Sequence, residues 1–307
     1  WSELYAVQDL FKSSNRNVTR GEFDRFVGLL MSRHSAILNI AWAPRVKRGE
    51  RAAHEQLGVR EGLPDYHIRS LGPNGSLPAS PERDEYFPKF YSTEAMGSPV
   101  YGIDIDDGAD QARTLAYIRD EDALSITAPL RLYTGKGDRL GFWAGLPVYA
   151  PGLPHDTVEE RRKNLRGIVQ GVFQIGVMFD SMLAKIKTPT RLYVFSANAG
   201  ADDLPVYYSS RAGGGSIDAR SQSQLAAALH RSFSLDFGDV KWTMVVTPEA
   251  SGLMSAAHER SFIVLICGLL LSGAATWLLW SMRRHARDVE IANDRFATQN
   301  MRFEAAL

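Results

Sequence analysis

Cysteine is almost absent from this sequence: its 307 residues include one, Cys267. That thiol lies inside an apolar run, so no disulfide framework is available and the fold must rest on an ordinary hydrophobic core. An excess of either charge is missing too. Lys+Arg and Asp+Glu each total 35, which removes the net field that would draw in nucleic acid or acidic partners. The seven histidines are dispersed, without the spacing of a zinc site. His54-Glu55 continues as Gln56-Leu57-Gly58, so the metalloprotease motif fails there. There is no G-x-S-x-G elbow and no Walker A motif, since Gly213-Gly214-Gly215 is not followed by Lys and Ser/Thr. The acidic run 104–110 puts Ala109 and Leu115 where a calcium loop needs Gly and Glu, and reads as a solvated turn. No cofactor or metal is expected, and no motif argues for catalysis.

What the sequence does contain is one long uncharged stretch. Residues 261–282, SFIVLICGLLLSGAATWLLWSM, hold no charge over 22 positions in a chain that is 23% charged. As a helix the stretch would extend about 33 Å, enough to cross a bilayer core of about 30 Å. Trp277 and Trp280 sit near one end, and Arg283, Arg284, His285 and Arg287 follow directly. By the positive-inside rule residues 283–307 face the cytoplasm and residues 1–260 lie outside it, as in a bacterial inner-membrane protein with a periplasmic domain. Gly268, Ser272 and Thr276 recur every fourth residue, a stripe that allows close helix approach. In the tail, Val289, Phe296 and Phe303 repeat every seventh residue, consistent with a two-helix signalling connector.

Ahead of the span, helical and strand patterns alternate. Residues 1–34 read as a helix interrupted at 15–19, with Thr19 and Glu22 forming a capping box. A charged helical pattern covers 45–57, and 108–122 reads as a second helix. Residues 124–133 and 140–149 look like a hairpin pair. The stretch 157–185 reads as a long helix, started by a capping box at Thr157 and Glu160. Strands follow at 191–196, 205–209, 233–237 and 240–247, with a loop expected over 212–222. The fold class is α+β: a helix, two antiparallel sheets and an exit span. The expected domains are a stalk helix at 1–34, a membrane-distal subdomain at 35–156, and a linker helix with a membrane-proximal subdomain at 157–258. The span at 261–282 and the connector at 283–307 complete the chain.

Six segments together resemble the CHASE domain, the extracytoplasmic sensor of plant cytokinin receptors and many bacterial signalling proteins. They are RHSAILNIAWAPRV (33–46) with Glu50-Arg51, RDEYFP (83–88), APLRL (128–132), GLPVY (145–149), TVEERR (157–162) and LDFGD (235–239). The resemblance implies a long stalk helix, two PAS-like subdomains, flanking membrane spans (one before Trp1) and a homodimer paired through its stalk and transmembrane helices. It also implies a small-molecule ligand, of adenine or cytokinin type, in the distal subdomain. Carried over position by position, the family's ligand aspartate falls on Asp104, its aliphatic ring contact on Ile126, and its pocket threonine on Gly145. The carboxylate is kept and the threonine is lost, so Gly145 is expected to enlarge or reshape the pocket. Tyr101 and Phe142, on candidate strands, either wall that pocket or fill the core. As a plain structural residue, Asp104 would instead cap the helix that starts near Gly108. The closing residues 299–307 resemble the lead-in to a cytoplasmic output module, with diguanylate cyclase favoured over histidine kinase. The alternative reading is a dimeric spacer whose pocket is degenerate.

Overall fold

The computed structural model describes residues 1–14, 18–32, 35–72, 75–93, 101–133, 138–186, 190–210, 219–227, 229–248, 264–278 and 280. The helical expectation over 1–34 resolves into two helices, α1 (Ser2–Ser13) and α2 (Arg20–Met31). The Thr19–Glu22 capping box is formed in full and fixes where α2 begins. Leu4, Val7 and Phe11 on one face of α1 are buried, and Gln8 Nε2 donates to the Pro147 carbonyl at 2.6 Å. α1 therefore lies along the sheet described next and forms part of its core.

That sheet is antiparallel and six-stranded. Its path is β4 (Tyr91–Ser92), β1 (Ile37–Pro44), β8 (Leu165–Gln174), β7 (Asp138–Tyr149) and β5 (Ser125–Ile126), with β6 (Leu130–Tyr133) also paired to β7. The β6–β7 pairing is the expected hairpin; its turn at 134–137 lies outside the described residues. A second antiparallel sheet has the order β10 (Tyr207–Ser210), β9 (Thr190–Phe195), β12 (Val240–Pro248) and β11 (Arg231–Phe237). A two-stranded pair, β2 (Val46–Lys47) with β3 (Glu85–Tyr86), flanks helix α3 (Arg51–Arg60). Helix α4 (Ala109–Glu121) falls where its pattern predicts. The loop expected at 212–222 lies mostly outside the described residues. Its end is the capped start of a short helix, α7 (Gln222–Ala226).

The long helix expected over 157–185 is corrected. Its capping box is real, but the helix it starts, α5 (Val158–Asn164), stops after two turns. Residues 165–174 are the strand β8, and helix returns only at α6 (Ile175–Leu183). β8 pairs with β1 on one side and β7 on the other, and nearly every one of its residues is buried. A strand covered on both faces shows no alternation, so its apolar run imitates a buried helix. Gly167 and Gly171 fit the close packing: a Cβ at Gly167 would lie 2.5 Å from the Ala43 carbonyl oxygen. The first sheet consequently continues past the boundary expected at 156.

The two sheets share one hydrophobic core. Phe142 and Phe173 stack at 5.4 Å, and Phe237 and Trp242 of the second sheet pack against Phe142. The β11–β12 turn ties them further. Gly238 has φ +68°, as the first residue of a tight two-residue hairpin turn requires, and a Cβ there would lie 2.0 Å from the Leu124 carbonyl oxygen. Asp239 beside it accepts hydrogen bonds from Ser125 Oγ and Arg113 Nη1. The LDFGD segment thus clamps the second sheet onto β5 and α4.

The first 248 residues form one compact unit, and residues 249–307 form another. Within the second unit, residues 264–278 are helical. Among the described residues no helix is long and apolar enough to cross a membrane. The expected span at 261–282 extends beyond the described part of that helix. The connector at 283–307 lies outside the described residues.

Candidate functional site

The face of the first sheet that carries α4 is crossed by two irregular segments, 87–89 and 102–105. They zip together through Lys89 N to Ile103 O, Gly102 N to Lys89 O and Ile105 N to Phe87 O, at 2.8–3.0 Å. Gly102 has φ +77° and stands against the His67 carbonyl, where a side chain could not fit. Between these segments, β6, β7 and β8 lies a cavity of about 200 Å³. Asp104, Lys89, Gln170, Trp143, Leu132 and Val172 are among its lining residues.

Asp104 is 2% exposed. Its Oδ1 accepts from the backbone N–H groups of Phe87 (2.9 Å) and Asp106 (3.2 Å). Its Oδ2 has no hydrogen-bond donor; the nearest charge, Arg83 Nη1, stands 3.6 Å away. Arg83 spends its hydrogen bonds elsewhere, on the Asp106 carbonyl and on Asp107 Oδ1 at 3.0 Å. Burial raises the Asp104 carboxyl above the usual range, against the two backbone hydrogen bonds and Arg83, which pull it down. Burial, then the Asp104 charge, pushes Asp106 up to about 6. Asp104 is not a helix cap: α4 starts at Gly108 without a side-chain cap.

Of the other polar residues that line the same cavity, Lys89, Asp107, Gln111, Arg131 and Gln170, the buried ones are Lys89 and Gln170, and neither was singled out from sequence. Lys89 is 9% exposed, and among the described residues its ammonium makes no hydrogen bond or ion pair. Burial alone lowers its pKa to about 8. Gln170, from the centre of β8, is 1% exposed, and its Oε1 has no donor. Lys89 was hidden because a single lysine among aromatics reads as a surface residue. Gln170 was hidden by the mistaken helix over 157–185.

The other expected site residues do not gather here. Ile126 and Phe142 are fully buried on the opposite face of the sheet, in the core shared with α1 and the second sheet. Tyr101 lines a separate groove of about 460 Å³ with Arg20, Glu61, Tyr66 and Arg69, and the Arg20 guanidinium lies 5.1 Å from its ring centre. The expectation for Gly145 is corrected. It lies on the α4 face, but a Cβ there would stand 2.8 Å from Ile118 Cδ1 and 3.1 Å from the Trp143 ring. The missing side chain makes room for α4 to pack closely, and Gly145 is not among the residues that line the Asp104 cavity. Asp104 is the one expected residue that lines the cavity.

Three solved structures resemble the chain at low identity. The structure named "Methyl-accepting Chemotaxis protein X" is similar at TM-score 0.41 and 12% identity, covering 81% of this chain and 90% of that one. The ligand-binding domain of the Pseudomonas aeruginosa amino acid chemoreceptor PctC, in complex with GABA, gives TM-score 0.36 and 12% identity, covering 80% and 91%. The periplasmic sensory domain of the Campylobacter jejuni chemoreceptor Tlp1 gives TM-score 0.39 and 8% identity, covering 82% and 87%. No curated protein matches the sequence. The profile of the CHASE domain matches residues 16–207, which is more than half of the chain and includes every group that lines the cavity. The chain belongs to the CHASE domain family of extracytoplasmic sensor domains.

Proposed function

We propose that this chain is the ligand-sensing region of a dimeric transmembrane signalling receptor, with its small-molecule site in the Asp104 cavity. The observation that carries the reading is the unused polar capacity of buried groups lining one cavity: Asp104 Oδ2 and Gln170 Oε1 lack donors and the Lys89 ammonium lacks an acceptor. Buried polar groups without partners are costly, and a complementary ligand removes that cost. The adenine-type ligand implied by the resemblance would use Asp104 as acceptor for an N–H group. It would do so without the contacts expected of Ile126 and Gly145.

Within the first unit the cavity is linked to the end of that unit. α4 and β5, beside the cavity, hold the β11–β12 turn through Asp239, and β12 runs to Pro248, the last residue of the first unit. A ligand that favours one setting of α4 would bias this hairpin by as much as its affinity differs between the two settings. Beyond it, helix 264–278 exposes Leu265, Ile266, Leu269, Leu270, Leu271 and Leu278 on all sides, each more than half exposed. An all-round apolar helix fits a membrane-spanning segment over 261–282, with the following arginines in the cytoplasm. The small-residue stripe at Gly268, Ser272 and Thr276 would pair two copies, and a diguanylate cyclase, or else a histidine kinase, would take the signal.

The test is thermal unfolding of the detergent-solubilised 307-residue chain with adenine-type cytokinins, free purines, small amines, carboxylates and amino acids. A ligand at 100 times its dissociation constant stabilises the fold by about 2.7 kcal/mol. A shift that disappears in Asp104→Asn supports a sensor with this site. A folded protein whose melting ignores the whole panel is a spacer with a vacant cavity.

A further inference from the structure

We propose that the Asp104 cavity is built for a small zwitterion, whose carboxylate pairs with Lys89 and whose ammonium sits between Asp104 and Gln170. This rests on the reading of that cavity as the ligand site and names the class of ligand it takes. The argument starts from what the cavity's own charges fail to do. The lining also includes Asp107, paired with Arg83, and the exposed Arg131; its two buried charges are Lys89 and Asp104, and no ion pair joins these two. Each is at least nine-tenths buried. Arg83, 3.6 Å from Asp104 Oδ2, offsets part of the cost of that carboxylate, and nothing offsets the cost of Lys89; an object between the two with a charge at each end removes what remains.

The acceptors and donors are also arranged asymmetrically. Asp104 uses Oδ1 to hold the turn between Phe87 and Asp106, which leaves Oδ2 to accept from a guest. Gln170 Oε1 supplies a second free acceptor from the centre of the sheet. Two acceptors suit an ammonium, which carries three donors, better than a neutral group with one. At the other end, Lys89 offers donors and no acceptor, and its backbone is held by the hydrogen bonds with Ile103 and Gly102. The burial that lowers its pKa to about 8 still leaves it cationic at neutral pH. An anion arriving there meets a charge not yet neutralised by the protein, and a charge-assisted hydrogen bond in such a setting is among the stronger ones.

Size narrows the class. A volume of about 200 Å³ falls below the roughly 300–1,000 Å³ typical of drug-sized ligands. It suits a metabolite of amino acid dimensions. Trp143, Leu132 and Val172 supply an apolar wall that tolerates a short hydrocarbon between the two charged ends.

The experiment is isothermal titration of the detergent-solubilised 307-residue chain. The probes are the α-amino acids and the unbranched ω-amino acids from glycine to 6-aminohexanoate. Each is matched with the alkylamine and the carboxylic acid that lack one of its charges, and adenine serves as a neutral comparison. A zwitterion that binds at least tenfold more tightly than both of its single-charge counterparts is the expected result. Lys89→Met and Asp104→Asn should each cost that zwitterion at least tenfold. Lys89→Met replaces a buried cation with an apolar group of similar length, so it should fold at least as well as the parent. Equal binding of the amine and the amino acid, or unchanged affinity in Lys89→Met, overturns the zwitterion. If adenine binds and no zwitterion does, the zwitterion fails, while loss of that binding in Asp104→Asn keeps the sensor reading. If no probe binds and the cavity holds water only, both fail.

Discussion

The two faces of the first sheet, made from the same strands, are finished differently. The face toward α1 and the second sheet carries Ile126, Phe142, Leu146, Val169 and Phe173, closed by Trp1, Phe237 and Trp242. It is an aromatic, densely packed core. The face toward α4 begins in the same manner, with Trp143, Ile168 and Val172. It then leaves about 200 Å³ beside Lys89, Asp104 and Gln170. Alternation along β7 and β8 assigns neighbours such as Phe142 and Trp143 to opposite faces, so a single register sets both surfaces at once. One face spends its side chains on packing and the other withholds them, which, on the proposed reading, separates stability from recognition.

The comparison breaks most readily on the packed face. Phe142→Ala should lower the unfolding free energy by about 3–5 kcal/mol in urea titrations, because a fully buried ring touching both sheets is lost. A loss below 1 kcal/mol would mean the face is not the shared core described here. On the cavity face, Lys89→Met should act in the opposite direction and stabilise the ligand-free protein. A pKa lowered from 10.5 to about 8 corresponds to about 3 kcal/mol of unfavourable burial at neutral pH. The pH dependence has a definite sign. Between pH 8 and 10.5 the unfolded lysine holds its proton more often than the folded one, so the parent gains stability as pH rises through that window. Lys89→Met should lack the gain.

Gly145→Ala sharpens the assignment of that position. If its missing side chain serves the packing of Ile118 and Trp143, the added methyl should cost about 1–3 kcal/mol and leave ligand affinity within twofold. A change in affinity at unchanged stability would return Gly145 to the pocket wall. The smallest effect should come from outside both faces. His54 packs on Phe90, shares a hydrogen bond with the Tyr66 hydroxyl at 3.0 Å, and is lowered to about 4 by burial. Its folded form resists protonation while the unfolded form accepts it at about 6.5, so stability should fall as pH drops from 6.5 to 4. His54→Gln should flatten that part of the stability profile measured by urea titration.

Much of the fold could be read before the structure. Thr19 with Glu22 and Thr157 with Glu160 mark helix starts that the structure keeps, because a capping box is a local hydrogen-bond pattern complete within four residues. The second sheet is legible too, since its edge and hairpin strands retain turn signals such as Gly238-Asp239. β8 was not legible. Its neighbours on both sides come from residues at least 16 positions away, and its apolar run carries no trace of them. The site followed the same division. Asp104 could be reached through the family's pattern, whereas Lys89 and Gln170 matter only because distant backbone folds over them. Tyr101, Ile126 and Phe142 have the right composition for a pocket but lie on the other side of the sheet from the Asp104 cavity or in a separate groove.

The position of β8 also dictates a sequence of events in time. β1 and β7 never touch each other; both pair with β8, the last of the sheet's strands to be synthesised. Until position 174 has left the translocation channel, the strands on either side wait with exposed hydrogen-bonding edges and apolar faces. Such late, long-range pairing slows folding and leaves a window for wrong partners. The cavity on this sheet is therefore a late product of folding, assembled in the same step that pairs the facing edges of β1 and β7 with β8.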